Sequence, residues 1–550
     1  MAKKSRPYHL EIQTHGRNPY GLIRSSYWED GKVRHDTLCR FTGLTIEQLR
    51  AMQAALQGKM VPKEEFQLSG GREYGASFAC VELMKILGLD KAIYSRTSEE
   101  WVRASLAMIA GRLVFAGSKL ALSHCCANSA LWEICGIEGK IDVNVHCYAA
   151  MDKLLERQNA IQKKLAQKYL QNGTVILYDI TSCYFEGEYE DSDLVAFGYN
   201  RDKKRGHEQI VISLLCSKEG CPIAVDVLRG NTKDETTVLD KIRELKDTYG
   251  IEHVVFVGDR GMITQANFKK IDHETIKVIS ALTHAKIKEL CKKETIEINQ
   301  FDDKCIVDVI DGNMRYCLCK NPNKVAEDSK TRQSLLKKTR DELDQIIAST
   351  KKSKYNKGIR AGMVVGKYKM GKFIVFHGEG DDLSYTLDEE KIKQEASMDG
   401  CYVIYTDASV EHMTAAETVA SYKSLMHVEQ AFRSMKTVRL EIRPVFHKTD
   451  DRIRAHVFLC MLAYFVMWHM KQKLRPLMDS DGKGAQRKFT FDYIMDSLSR
   501  LQKSTLGFNG AQSSIIANPS AEQSKIMKLL GVNLSHNREI QKKAISTPLQ

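Results

Sequence analysis

Between residues 174 and 283, short apolar runs alternate with turn-forming residues, and this pattern predicts five strands. The runs are TVILYDITSCYF (174–185), QIVISLLCS (209–217), PIAVDVLRG (222–230), HVVFVGDRGM (253–262) and KVISALT (277–283). Short links between the first three predict an antiparallel meander. Helical periodicity follows the third strand, and a short helix, TQANFKKI, follows the fourth. This order of elements predicts a mixed α/β sheet.

The rest of the chain shows other patterns. Residues 1–70 mix strand-like pieces with turn signals, which predicts a small β-containing segment. Residues 71–172 are mostly helical in periodicity, which fits either a DNA-binding region or plain packing. Residues 285–408 interrupt the sheet pattern, and a C-terminal helical region is predicted over 476–550. The most apolar stretch, 457–470, is too short to span a bilayer, so we predict a buried helix and no membrane association.

Charge and cysteine content narrow the class of protein. The chain has 82 Lys and Arg against 69 Asp and Glu, a net charge of +13, and a sequence pI near 8.9. Such a balance fits a polyanionic partner such as nucleic acid, or a merely basic soluble protein. The 15 cysteines form no zinc-binding pattern and predict reduced thiols in a cytosolic protein.

Two acidic side chains occupy unusual places in the predicted sheet. Asp179 lies inside the apolar first strand, and Asp259 follows the apolar run of the fourth strand at its C-terminal end. An ionised carboxylate in apolar surroundings is costly unless something positive lies against it. Either residue alone is typical of a turn or a helix cap. If the two strands are neighbours, however, the carboxylates repel, and a proton or a cation must lie between them.

A third acid lies on a helix predicted over 414–436, where Thr414 and Glu417 form a capping box at the start. Steps of three and four residues define one face of this helix, which carries Tyr422, Leu425, Glu429, Phe432 and Lys436. Because this face includes apolar residues, we predict that it is buried and that Glu429 points inward. The alternative for Glu429 is an ion pair with Arg433, four residues on.

Two aspartates and one glutamate offer hard oxygen ligands, which suit Mg²⁺ or Mn²⁺ better than zinc. Two such ions can activate an attacking oxygen and stabilise the leaving oxygen of a phosphodiester. We therefore predict that Asp179, Asp259 and Glu429 are both the catalytic residues and the ligands of two metal ions.

These features resemble the DDE transposases of bacterial insertion sequences, and in particular the branch with a Y-x2-R-x3-E-x6-K signature. Three of its four positions are matched at the right spacing, by Tyr422, Glu429 and Lys436. The arginine position is Leu425 here, so Lys423 or Arg433 takes over its phosphate contact, or the contact is absent. The stretches YDITSCYFEG, GNTKDETTVL, VGDRGM and RPVFHKTDDRIRAHVFLCMLAYF also resemble the family.

The resemblance implies a ribonuclease H-like mixed sheet flanked by helices. Its two parts would be residues 173–284 and 409–475, separated by a mostly β insertion over 285–408. The largely helical region 71–172 would bind the DNA ends.

For function, the resemblance implies cleavage of double-stranded DNA at the ends of a mobile element and joining of the 3′ ends to target DNA. The residues assigned to DNA binding, some by the resemblance and some by their charge, are Tyr422, Lys436, Arg433, Arg260, Lys203, Lys204 and Arg205. A homodimer in the DNA complex and a bacterial, cytoplasmic location at the nucleoid are also implied. Two alternatives stay open, namely a ribonuclease H-like nuclease that does not transpose and an inactive DNA-binding derivative.

Overall fold

The computed structural model describes residues 8–14, 18–29, 32–58, 66–202, 204, 206–350, 356–378, 382–438, 440–479, 489–508 and 511–534. At the N-terminus, three strands form an antiparallel sheet: β1 (His9–Gln13), β2 (Tyr20–Glu29) and β3 (Lys32–Thr42). Helix α1 (Ile46–Leu56) covers it and begins at a Thr45–Gln48 capping box. Strand β4 (Phe66–Glu73) follows.

Residues 75–169 are helical, as their periodicity predicts. The helices are α2 (Gly75–Ile86), α3 (Leu89–Ile93), α4 (Glu100–Val114), α5 (Lys119–Ser123), α6 (Leu131–Ile134), α7 (Ala149–Glu156) and α8 (Gln158–Tyr169). Their apolar faces join one large hydrophobic core with the central sheet. This region therefore packs directly on the sheet and is not a separate unit.

The central sheet has eight strands, and five of them are the predicted ones: β5 (Thr174–Tyr184), β6 (Gln209–Ser217), β7 (Pro222–Arg229), β8 (Val254–Gly258) and β9 (Ile276–Ala281). Strands β5, β6 and β7 form the predicted antiparallel meander. Strands β8 and β9 run parallel to β5, after α9 (Asp234–Asp247) and α10 (Gln265–Phe268) respectively. The mixed α/β sheet is thus confirmed, and β5 lies directly beside β8.

We predicted a mostly β insertion over residues 285–408, and this prediction is wrong. Its elements are α11 (His284–Lys292), β10 (Val307–Asp311), β11 (Met314–Lys320), α12 (Pro322–Ala348), α13 (Lys357–Tyr368), β12 (Ile374–His377), β13 (Ser384–Leu387), α14 (Glu389–Ala396) and β14 (Cys401–Thr406). Helix α12 alone has 27 residues. It begins where it does because Asn321 caps it and Pro322 occupies its first position. Strands β10, β11 and β14 extend the central sheet beyond β9.

The helix predicted over 414–436 is broken into two helices, α15 (Ala415–Lys423) and α16 (Met426–Arg433), and a π-helical turn, Ser434–Val438. The capping box at its start is confirmed, since Thr414 and Glu417 exchange hydrogen bonds of 2.9 and 3.2 Å. At the break, the Ser424 hydroxyl donates to the Ala420 carbonyl at 3.0 Å. Such a bond back to the preceding turn bends a helix, and here the next helix begins two residues later.

The predicted buried helix is confirmed and is longer than predicted, α17 (Asp450–Asp479). It is long and apolar enough to cross a membrane, but 83% of its most apolar window is buried inside the protein. We predicted a helical C-terminal region, but the described residues there form strands as well as helices. They form α18 (Phe491–Ser499), β15 (Gln502–Phe508), β16 (Ala511–Ile516) and α19 (Ala521–Leu530), and β15 pairs with both β4 and β16.

Candidate active site

Asp179 and Asp259 lie at equivalent positions on two neighbouring parallel strands. The register of β5 and β8 pairs Leu177 with Val257 and Tyr178 with Gly258. The next residue on each chain segment is the aspartate, so both carboxylates lie at the same edge of the sheet. Asp179 is half-buried and Asp259 is exposed. This edge, at the carboxyl ends of parallel strands, is where ligand sites of open α/β sheets form.

The ionisation of Asp179 shows that the three predicted acids act on one another. Burial is the main reason that the pKa of Asp179 is raised from 3.8 to about 7. The negative charges of Asp259 and Glu429 also raise this pKa, while a backbone hydrogen bond from Ile180 and the charge of Arg201 lower it. The charges of Asp259 and Glu429 therefore reach Asp179, whose carboxyl keeps its proton up to about pH 7.

We predicted that Glu429 points into the protein interior, but its side chain is exposed. The interior side of α16 is formed by Val428, Ala431 and Phe432, and the helix packs against β5. Leu425, Phe432 and Lys436 of the predicted face are buried, so Glu429 is the member of that face that lies at its exposed border. Its carboxylate is thus turned to solvent beside Asp179.

Tyr422 is the signature residue that the structure joins to the acids. Its hydroxyl donates a hydrogen bond of 3.2 Å to Asp259 Oδ1. Burial and the negative charge of Asp259 raise the pKa of the phenol, while the charge of the exposed Arg260 lowers it. Tyr422 and Arg260 therefore lie at the carboxylates, where they can also reach a phosphate.

Lys436 contacts protein groups in the structure, whereas we predicted that it contacts DNA phosphates; the DNA contact stays a prediction. The residue is buried, and its Nζ donates to Thr181 Oγ1 at 2.7 Å and to Asp202 Oδ1 at 3.3 Å. Arg443 also binds Asp202, at 3.0 Å. Lys436 therefore ties the end of the Glu429 segment to β5 and to the loop before β6. Asp202 was missed from the sequence, although it is the one acid among the cations of that loop.

The other predicted DNA contacts are spread around the site. Lys203 and Arg205 lie outside the described residues. Lys204 is exposed, with its ammonium 5.7 Å from the Tyr184 ring centroid, and Arg433 is exposed at the end of α16. Arg201 of the same loop forms an ion pair with Asp234, the first residue of α9.

A cleft of about 520 Å³ lies beside this loop and combines aromatic and basic side chains. Arg443 stacks over the Tyr184 ring at 4.5 Å and Lys448 over the Tyr189 ring at 4.1 Å, while Phe446 is 72% exposed. Lys436 also lines the cleft, which places it beside the carboxylates. Such a surface suits a nucleic-acid strand, because cations meet phosphates and aromatic rings stack on bases.

Within the part of the chain that the structure describes, no group of three His, Cys, Asp or Glu side chains stands in an arrangement that could hold a metal ion. The chemistry of the three acids nevertheless fits a divalent cation. All their donors are hard carboxylate oxygens, and a cation would offset both the burial of Asp179 and the smaller repulsion from Asp259 and Glu429 that raise its pKa.

Residues 171–466 match the protein family described as "Transposase DDE domain". Because the match spans more than half of the 550 residues, the chain belongs to this family. The predicted class, a DDE transposase, is confirmed, and the matched range coincides with the segment that carries the acids. No curated protein matches the sequence.

Among solved structures, a similar one is the "piggyBac transposase synaptic complex with hairpin DNA". The two chains share 8% sequence identity, the alignment covers 86% of this chain and 79% of that chain, and the TM-score is 0.37.

Proposed function

We propose that this protein is a transposase that binds the ends of its own mobile element, cleaves them and joins the freed 3′ ends to target DNA. The observation that supports the proposal is that Asp179 and Asp259 lie side by side at one sheet edge, where the charge of Glu429 also acts on Asp179, within a segment that matches the DDE family. We further propose a ribonuclease H-like core, an origin in a bacterial insertion sequence, and action at the nucleoid in the cytoplasm.

Asp179, Asp259 and Glu429 would hold Mg²⁺ or Mn²⁺, and we propose two ions. When bound, the metal supplies Lewis acidity at the attacking and leaving oxygens of the phosphodiester. The protein supplies three carboxylates in one place and a donor, the Tyr422 hydroxyl, that orients Asp259. Asp179, which is neutral near pH 7 without a cation, must lose its proton to act as a ligand.

DNA binding rests on cations around these acids. Arg260 lies beside the acids, and the aromatic and basic cleft lies on the far side of Lys436. Lys204 and Arg443 lie over the Tyr184 ring; Lys204 is exposed and can meet a backbone phosphate, while Arg443 also pairs with Asp202 and would share its charge between that acid and the DNA. Because two element ends must be joined in one event, we propose that a homodimer assembles on the DNA.

The test is strand cleavage and strand joining on terminal DNA with Mg²⁺. We expect Asp179→Ala, Asp259→Ala and Glu429→Ala to abolish both reactions and to keep DNA binding, since affinity comes from basic and polar groups elsewhere. Glu252→Ala is the control, because this acid is exposed and precedes β8, at the opposite end of that strand from Asp259.

Three outcomes separate the alternatives. Cleavage without joining by the unmodified protein would indicate a nuclease that does not transpose. DNA binding without any cleavage would indicate an inactive derivative. Wild-type cleavage by Glu429→Ala, together with loss of cleavage in the control variant, would show that the third acid is assigned to the wrong residue.

A further inference from the structure

Two buried cationic side chains, at residues 112 and 119, lie close to each other outside the candidate active site. Arg112 of α4 is 8% exposed, Lys119 of α5 is 6% exposed, and both point to His456 of α17. Arg112 Nη2 lies 3.4 Å from His456 Nδ1, and Lys119 Nζ is hydrogen-bonded to the same nitrogen. One ring nitrogen thus faces both cations.

The ring proton of His456 is not donated to Arg112 or Lys119. Its Nε2 donates to the Ile442 carbonyl at 3.0 Å, so Nδ1 is the acceptor for Lys119. Burial and then the charges of Lys119 and Arg112 lower the pKa of His456 well below its ordinary value. Burial likewise lowers the pKa of the neighbouring His447 to about 3, so both rings are neutral.

No described carboxylate balances these two positive charges. In the described ranges, neither Arg112 nor Lys119 takes part in an ion pair, and the charges that act on Lys119 are those of Arg112, Cys460 and Cys147. Burial raises the pKa of both thiols, so neither carries a negative charge. Two buried cations without an anion are costly, and a protein relieves that cost by binding an anion or releasing a proton.

Arg112 and Lys119 both line a small cavity, together with the apolar side chains of Met108, Leu122 and Leu459. Its volume is about 10 Å³, which is room for a single water-sized sphere. A phosphate group is too large for this space. A halide ion is somewhat larger than a water molecule, so its entry requires the long side chains of Arg112 and Lys119 to shift outward. It would then face these two cations on one side and apolar groups on the other.

We propose that this cavity is a binding site for a small monovalent anion of the halide class, with chloride as the ligand. The anion would neutralise the pair and would join α4 and α5 to α17 and, through His456, to the backbone at Ile442. Without it, burial and the charge of Arg112 lower the pKa of Lys119 to about 7, so that the lysine loses its proton above neutral pH.

Thermal unfolding of the full, metal-free protein at fixed ionic strength and pH 6.5 tests the proposal. We expect Tm to rise saturably as sodium chloride replaces sodium gluconate, whose anion exceeds the cavity. Lys119→Met should lose this chloride-specific rise, and in gluconate it should be at least as stable as the wild type, since an uncompensated buried charge is gone. Lys91→Met, at an exposed lysine, should keep the rise.

Crystals grown with bromide give a readout that does not depend on the variants. An anomalous peak between Arg112 and Lys119 is the expected result. An equal chloride effect in the wild type and in Lys119→Met, or an absence of bromide in the cavity, would overturn the proposal and leave a water molecule beside a deprotonated Lys119.

Discussion

Replacing Asp179 by asparagine should make the metal-free protein more stable above neutral pH. The folded protein binds the Asp179 proton more tightly than the unfolded chain does, because its pKa is raised from 3.8 to about 7. The stability from this group is therefore fully present below pH 3.8 and is lost as pH rises through about 7. Asparagine keeps the shape of the neutral side chain and removes the charged form.

The size of the effect follows from the two pKa values. At about 1.4 kcal/mol for each tenfold change in proton affinity, the difference between 3.8 and about 7 corresponds to about 4 kcal/mol at pH 8. Because Asp179 is half-buried and not fully buried, this is an upper value. At pH 3.5, where the carboxyl is protonated in both states, the variant and the wild type should differ little.

Urea unfolding in EDTA, from pH 3.5 to 8, measures the difference in stability between Asp179→Asn and the wild type. We expect this difference to grow with pH and to level off above pH 7. Glu186→Gln is the control and should show a small difference at every pH, since that side chain is exposed. A difference for Asp179→Asn that is flat between pH 4 and 8 would refute the reasoning. Saturating Mg²⁺ at pH 8 should stabilise the wild type more than the variant, because a cation relieves the repulsion.

Three further predictions concern the surroundings of the acids. Lys436→Met should destabilise the protein by about 1 kcal/mol in urea unfolding, because Asp202 loses one of its two cations but keeps Arg443 and contact with solvent; unchanged stability with weaker DNA binding would instead assign Lys436 to a phosphate. Tyr422→Phe removes the 3.2 Å hydrogen bond to Asp259, and we expect cleavage to slow by about fivefold, since such a bond contributes about 1 kcal/mol; an unchanged rate would show that Tyr422 does not orient the carboxylate. Arg443→Ala should weaken DNA binding and lower the slope of log K against log salt by about one, in binding titrations at several salt concentrations; an unchanged slope would remove the cleft from the DNA interface.

The sequence by itself determined most of the helices and strands in the segment that carries the three acids. The apolar runs of β5 to β9, the capping box at Thr414 and the apolar stretch of α17 are local signals, and each element forms where its signal lies. Asp179 and Asp259 could also be recognised, because a charged residue in or directly after an apolar strand stands out against its neighbours. That the two aspartates meet could not be read from the sequence, because β6, β7 and α9 lie between β5 and β8 in the chain and only the parallel pairing of these strands brings the residues together.

Only the tertiary structure decided what depends on contacts between distant segments. Glu429 is exposed although its neighbours on the predicted face are buried, Lys436 pairs with Asp202, and β4 pairs with β15 more than 400 residues away. The strand-like runs of the insertion do form strands β10, β11, β12 and β14, but the helices α11 to α14 contribute more residues, so the insertion is not mostly β. The pairing of Arg112 and Lys119 around His456 leaves no trace in sequence, because burial and charge balance exist only after the chain folds.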